Sequence, residues 1–245
     1  MKRSYKLKYH KLEKNHWWFK ARRDAIFRLI QQINLDNNAK ILDIGCSGGP
    51  VMQFLKKKGY GEIYGIDISK NAVRLCQKNK IKNVSVMDGA KPSFSNEKFD
   101  LIIASDILEH IKNDSSALVE WKRILKPGGK LIVFVPAFNL LWSRHDELNH
   151  HCRRYEKSEL VKLLKKVNLK IRRSSYSNFS IFIPIALVRL YQRYFLKQKG
   201  GEDNQLSKIN PQINGVLTIV LKIENLLLKF IDFPVGVSVF VVGEK

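Results

Sequence analysis

The chain has 245 residues, 44% of them apolar, which suits one α/β domain with decorations or one domain plus a small lobe. Its three cysteines (Cys46, Cys76, Cys152) fall in no C-x-x-C spacing, which excludes a disulfide framework and a zinc ribbon and fits a reducing compartment. The opening M-K-R-S-Y-K-L-K-Y-H shows no secretory h-region, and the longest nearly apolar run, Ile181–Val188, is far too short to span a bilayer.

The net charge of +22 is unevenly spread. Residues 1–30 carry +8 and 151–200 carry +11, whereas 31–150 carry only +4 and 201–245 carry −1. Such concentrations read as attraction to phosphate, in nucleic acid, lipid head groups or a phosphorylated substrate, or as a lysine-rich solvated surface.

Residues Leu7–Ile33 have helical spacing, with Phe19, Ile26, Phe27 and Ile30 on one face and the knot H-W-W-F at His16–Phe19. Two adjacent tryptophans point to different faces, so one of them meets something other than the core. The segment is therefore either a flap over a ligand or a packing helix. Ile41–Ile44 then reads as a strand running into a turn with Gly45, Gly48 and Gly49, followed by a helix over Val51–Lys58. Glycines in such a turn let the backbone approach a ligand at a helix N-terminus. The dinucleotide fingerprint G-x-G-x-x-G fails here, because its third and sixth positions are Ser47 and Pro50. Asp43 at the strand tip would also repel a pyrophosphate. An amino and sulfonium ligand without phosphate suits an acidic turn better.

Glu62–Ile68 is a second strand with Asp67 near its tip, 24 residues beyond Asp43, where doubly wound folds place a ribose-binding carboxylate. Ser69 caps a helix over Lys70–Asn79, and Val84–Met87 is a third strand ending in Asp88-Gly89. Phe99–Ala104 is a buried strand followed by S-D-I-L-E-H-I. Leu118–Leu125 is amphipathic, and L-K-P-G-G-K-L-I-V-F-V-P leads into a fifth strand ending at Pro136. This alternation predicts a parallel sheet with helices on both faces. Glu159–Val167 reads as a helix, Leu169–Tyr176 as a sixth strand and Val235–Val242 as the last. Between those strands, Ile185–Lys197 is a basic amphipathic helix with Arg189, Arg193 and Lys197 on one stripe. After a polar linker over Gly200–Gly215, Val216–Ile231 is apolar around most of its circumference. Protein or lipid must cover it: as a lid, a dimer contact or a membrane-facing surface.

L-D-I-G-C-S-G-G resembles the first motif of class I S-adenosylmethionine (SAM) dependent methyltransferases, hydrophobic-D/E-x-G-x-G-x-G, with Ser47 in place of the middle glycine. The strand followed by "hydrophobic-E-H" at Leu108–His110 and the L-K-P-G-G phrase continue the likeness in the family's order. H-W-W-F-x-A-R with W-S-R-H-D-E-x-x-x-H-x-R-R-Y is similar to bacterial and archaeal methyltransferases of mostly unassigned substrate, over nearly the whole chain. The resemblance implies a Rossmann-like, doubly wound seven-stranded sheet whose last strand returns antiparallel. It implies a helical cap at 1–36, a SAM-binding core at 37–178, a helical insertion at 179–233 and a final strand at 234–245. Around SAM it implies Asp43, Gly45, Ser47, Gly49, Asp67, Ile68, Asp88, Gly89 and Ser105, with Asp88 approaching the adenine amino group or simply turning the chain before Gly89.

Methyl transfer to a hydroxyl needs a base. Four of the six histidines lie in the loops after strands four and five. His110, His145, Asp146 and His150 are the expected catalytic group, with His145 or His150 oriented by Asp146. His110 could equally be a packing residue beside the cofactor. Trp17, Arg153, Arg154 and Tyr155 are the expected acceptor contacts, Arg153-Arg154 gripping a phosphate or carboxylate or else pairing on the surface with Glu147 or Glu156. No established ligand spacing appears among the histidines, so no metal is expected. The segment A-S-D-I-L-E lacks the N/D-P-P-Y tetrapeptide of nucleobase amino-methylating enzymes, which argues against DNA as acceptor. The sequence thus implies a methyltransferase acting on a small-molecule or lipid-linked acceptor (polyprenyl, phosphorylated glycan or quinone-like). It would be cytoplasmic and peripheral at the inner face of an anionic membrane, with a homodimer compatible. An RNA methyltransferase and a non-catalytic SAM-binding protein are the alternatives.

Overall fold

The structure, a computed structural model, describes residues 12–195 and 210–245. A seven-stranded sheet runs β3-β2-β1-β4-β5-β7-β6, formed by β1 (Ile41–Ile44), β2 (Ile63–Asp67), β3 (Val84–Val86), β4 (Phe99–Ser105), β5 (Leu125–Pro136), β6 (Lys170–Ser177) and β7 (Ser238–Glu244). The first five strands pair parallel, and β7 is antiparallel to both β5 and β6. All four residues of β1 are buried, as a central parallel strand covered on both faces requires. Phe134 of β5 and Phe240 of β7 pair across the sheet with ring centroids 5.2 Å apart. Truncating either to alanine would cost about 3–5 kcal/mol.

The helices that cover the parallel part are α1 (Trp17–Gln32), α2 (Pro50–Lys57), α3 (Lys70–Lys78) and α4 (Asp114–Ile124). Trp121 of α4 is fully buried and donates its indole N–H to the Gly89 carbonyl at 2.7 Å, which fixes the turn after β3. After β5 come α5 (Arg144–Leu148) and α6 (Lys157–Lys166). Between β6 and β7 lie α7 (Phe182–Phe195) and α8 (Pro211–Leu227).

Several boundaries differ from expectation. The helix over Leu7–Ile33 is interrupted: His16 caps α1, its ring Nδ1 accepting from the Trp18 N–H, and residues 7–11 lie outside the described residues. Helix α4 begins at Asp114 instead of Leu118 because the Asn113 side chain caps it, accepting from the Ser116 N–H. The end of the expected linker is helical: Asn210 caps α8 and Pro211 occupies its first position, where a missing N–H is harmless. Lys197 and residues 200–209 are not among the described residues. The last strand starts at Ser238, paired with Pro136, and not at Val235.

α7 and α8 are fixed to the body by buried polar groups. Glu224 of α8 accepts from the N–H groups of Phe179 and Ser180, just before α7. Asn225 donates to the Ala21 carbonyl of α1, and Asn214 accepts from the Trp17 N–H. A second small core of Ala21, Leu141, Ile181, Leu221 and Val237 joins these helices to the loop after β5. Among the described residues nothing covers the opposite faces: Ile183 on α7 is 68% exposed and Phe230, just past α8, 74%. No helix among the described residues is long and apolar enough to cross a membrane.

Candidate active site

One cavity of about 910 Å³ opens at the C-terminal edge of β1, β2, β4 and β5, under α1, α7 and α8. That is the upper end of the range for small-molecule sites. Its two ends are chemically distinct.

The first end is the turn after β1. Gly45 (φ +74°) and Gly49 (φ +82°) take left-handed conformations that glycine adopts freely, and Ser47 (φ +49°) does so with a side chain. Asp67 at the tip of β2 holds this turn by accepting from the Ser47 N–H at 3.0 Å and the Ser69 N–H at 2.7 Å. Glu13, from the segment before α1, accepts from the Ser47 hydroxyl at 2.9 Å. Asp43 is buried and one of its oxygens has no partner among the described residues. Burial, then the charges of Asp67 and Glu13, push its carboxyl up to about 8. Three carboxylates thus converge on one glycine turn, with an unsatisfied acceptor among them. A cation is the ligand that relieves this arrangement, and the ammonium and sulfonium of SAM fit it.

The second end is built from the loops after β4 and β5. Beyond Asp106 the chain makes a tight turn, Leu108–His110, that buries Glu109 to 1% exposure with both carboxylate oxygens unpartnered. Burial first, then the charge of Asp106, raises the Glu109 carboxyl well above its ordinary range. Asp106 in turn accepts from Arg22 of α1, whose guanidinium also donates to Ser238 and lies 4.3 Å from the centre of the Phe134 ring. After β5, helix α5 opens with Ser143 as its cap, and Asp146 closes the capping box. Asp146 is fully buried. It accepts from Arg154 through two nitrogens, at 2.9 and 3.1 Å, and faces His151 Nδ1 at 2.8 Å. Burial alone would raise its carboxyl; the bond to His151 and the charge of Arg154 hold it well below the carboxylate range. The contact assigns the His151 proton to Nδ1 and leaves Nε2 turned toward the cavity, 3.9 Å from Glu109. His110 packs edge-on against His151 with ring centres 4.7 Å apart. Burial, then the His151 charge, lowers His110 to about 4, and burial does the same for His145. Both rings are neutral at pH 7.

Residues 42–133 match a protein-family model described as a methyltransferase domain. Residues 42–133 thus form a methyltransferase domain of the class I SAM-dependent kind. It is 28% identical over 165 residues to the ubiquinone biosynthesis O-methyltransferase of Pelagibacter ubique, covering 59% of this chain and 67% of that one. To the ubiquinone/menaquinone biosynthesis C-methyltransferase UbiE of Cupriavidus metallidurans it is 32% identical over 120 residues, 46% of this chain and 49% of that one. The matches therefore span between about half and two thirds of these curated relatives. In fold it is similar to a putative methyltransferase of Haloferax volcanii solved with the Trm112 methyltransferase activator, at a TM-score of 0.65, 17% identity and coverage of 98% and 94%. The matched domain implies SAM as the methyl donor, in agreement with the acidic turn.

The structure sorts the expected residues. Asp43, Gly45, Ser47, Asp67, Ile68 and Ser105 line the cavity, as do His110, His145, His150, Trp17 and Arg154. Gly49 lies behind the turn, its α-carbon facing Ile81 and Cys76. Asp88 accepts from the Ala90 N–H and closes the turn after β3; neither it nor Gly89 reaches the cavity wall. Arg153 and Tyr155 point away, both donating to Asp114 at the start of α4, where residues 39 and 41 positions apart are brought together by the sheet. Neither Glu147 nor Glu156 is the arginine partner; Asp114 and Asp146 are. The histidine oriented by Asp146 is His151, not His145 or His150, because His145 instead meets Asn149 at 3.0 Å. Asp146 itself lies beneath the cavity lining and acts through His151 and Arg154. Glu13, Arg22, Asp106, Glu109 and His151 also line the cavity; the sequence places the last three in the loops after strands four and five but assigns none of the five a role. The signal for the last two was present, since the E-H and H-H doublets sit in the two loops that meet.

Proposed function

We propose that the protein transfers a methyl group from SAM to an amphiphilic small-molecule or lipid-linked acceptor whose reacting group, a hydroxyl or an acidic carbon, lies against Glu109, His110 and His151. The observation that carries this reading is that one cavity joins the acidic turn to the Glu109–His110–His151 cluster under an apolar roof of Ile181, Ile185, Val188 and Leu217. When bound, SAM supplies a methyl carbon activated by its positive sulfur. Asp43, Gly45, Ser47, Asp67, Ile68 and Ser105 would hold it at the turn. The protein's chief contribution is then alignment, which is worth roughly 7–11 kcal/mol. Removal of the acceptor proton falls to the His151 side of the cluster, kept in one tautomer by Asp146. Trp17 and Trp18 close the cavity from α1, and Arg154 and Arg189 lie on its wall.

The relatives' names, one an O-methyltransferase and one a C-methyltransferase of quinone biosynthesis, favour a small-molecule acceptor over RNA and over a non-catalytic role. Tritiated methyl transfer from SAM into fractionated cell extract tests this. Label should enter the lipid-soluble fraction; label confined to RNA, or no transfer at all, would discard the reading. Nine apolar side chains from Ile213 to Ile231 are exposed on the outer side of α8 and its C-terminal turn. With the basic residues of 151–200 they support peripheral binding at an anionic membrane, at about 1 kcal/mol per basic residue near the surface. The chain should sediment with anionic vesicles at low salt and remain in the supernatant with neutral ones. Equal recovery from the two removes the membrane part.

A further inference from the structure

We propose that Glu109, His110 and His151 form a site for one divalent transition-metal cation of the zinc class, placed where the acceptor group lies. This rests on the acceptor end assigned above and specifies how that end is charged. One ligand atom from each of the three side chains lies within 4.8 Å of the others. In a tetrahedral site with metal–nitrogen bonds of 2.0–2.1 Å the ligand atoms stand about 3.4 Å apart. A contraction of up to about 1.4 Å, carried by side-chain rotation, therefore brings these three into position.

Three observations support a cation here. Glu109 is 1% exposed, faces the cavity, and has no hydrogen-bond donor on either oxygen among the described residues. A buried carboxylate without a donor is costly, and a bound cation is the partner that a cavity-facing one can acquire. His151 already has the arrangement of a metal-ligating imidazole. Its Nδ1 is engaged by Asp146, which Arg154 anchors, so Nε2 is the ring atom left for the metal. A carboxylate behind the ring in this way is the usual outer support of a histidine ligand. Thirdly, the set is incomplete in a useful sense. Two imidazoles and one carboxylate satisfy three positions and leave an open one toward the cavity, the composition of catalytic rather than structural zinc sites. Two nitrogen donors of three also select a borderline cation over magnesium or calcium, which prefer all-oxygen shells. A hydroxyl of the acceptor bound at the open position would be acidified and release its proton to solvent near neutral pH, so that with the cation bound His151 would hold the metal and would not itself take the proton.

Calorimetric titration of the tag-free full chain with zinc or manganese chloride, after chelator treatment and with SAM present, tests the site directly. One cation per chain is expected in the wild type. Glu109→Gln should abolish saturable binding. Asp146→Asn, which keeps all three ligands, should weaken it about 10–100-fold. SAM affinity, measured in parallel, reports that each variant is folded. Absence of saturable binding in the wild type, or equal binding by Glu109→Gln, overturns the site. Methyl transfer that persists undiminished in excess chelator also overturns it while leaving the functional reading intact. A cation that binds as expected in a protein that labels no lipid fraction leaves the site standing and removes the acceptor assignment instead.

Discussion

The two ends of the cavity are built by opposite strategies. The SAM end is local: Asp43, Gly45 and Ser47 follow one another along a single strand and turn, and Asp67 reaches them from the neighbouring strand. Its chemistry is set by backbone conformation and by carboxylates, and both are visible in spacing. The acceptor end is assembled across the fold. Glu109 and His110 after β4 meet His151 after β5, and α1 and α8 close over them from the two ends of the chain. A parallel sheet does this by placing successive βα loops side by side at one edge. The donor end is therefore a property of a motif, and the acceptor end a property of the topology.

The sharpest way to break this comparison is at His151. If Asp146 orients His151 for proton or metal chemistry, His151→Gln should lower kcat by about 10²–10⁴-fold while the Kd for SAM stays within about twofold. His150→Ala, on the same wall but without the carboxylate behind it, should cost clearly less. Equal losses in the two variants would place the acceptor chemistry elsewhere. At the other end the pattern reverses. Asp43→Asn keeps the shape of the turn and removes its charge, so SAM affinity measured by calorimetry should fall about 10–100-fold, the scale of one charge-assisted contact of 1.5–3 kcal/mol. An unchanged Kd would show that the acidic turn does not read the positive ligand.

A pH dependence sharpens the same contrast. Asp43 faces Asp67 and Glu13 and is buried, so its carboxyl rises from 3.8 to about 8 in the fold. A group held above its unfolded value favours the folded state most when protonated. The contribution of Asp43 to apo stability should therefore be largest near pH 4 and decline as pH climbs toward 8, by at most about 1.4 kcal/mol per unit. Asp43→Asn should flatten that decline, and saturating SAM should reduce it. Thermal melts across that range in the three conditions measure it; parallel curves would sink the account.

The strands were legible because strands buried on both faces read as nearly continuous apolar runs, as in I-L-D-I and F-D-L-I-I-A, whereas the seven-strand count and the antiparallel last strand came from the family resemblance. The glycine turn was legible for the same local reason. Helix starts were less so: α1 and α4 begin where His16 and Asn113 cap them, and caps act through one hydrogen bond that periodicity does not record. The pairing inside H-H-C-R-R-Y was not legible. Neighbouring residues in an irregular segment can face opposite ways, and which of His150 and His151 meets Asp146 depends on the left-handed backbone at His150 (φ +57°).

The arginine doublet shows the same effect at the smallest scale. Arg154 is buried, donates to Asp146 and to the Ala137 carbonyl, and belongs to the acceptor end. Arg153, one residue earlier, is partly exposed and ties the loop to Asp114 and to the Lys112 carbonyl. Arg153→Ala should therefore lower stability by only about 1 kcal/mol, a few degrees in Tm, because solvent screens the pair and Tyr155 still donates to Asp114. The Km for the acceptor should not move. Arg154→Ala strips a buried carboxylate of its two-point partner and lets His151 drift, so it should cost more in both stability and turnover. A rise in acceptor Km in Arg153→Ala would mean that the outward arginine turns inward when substrate binds. The division between a structural and a functional arginine would then hold only for the empty cavity.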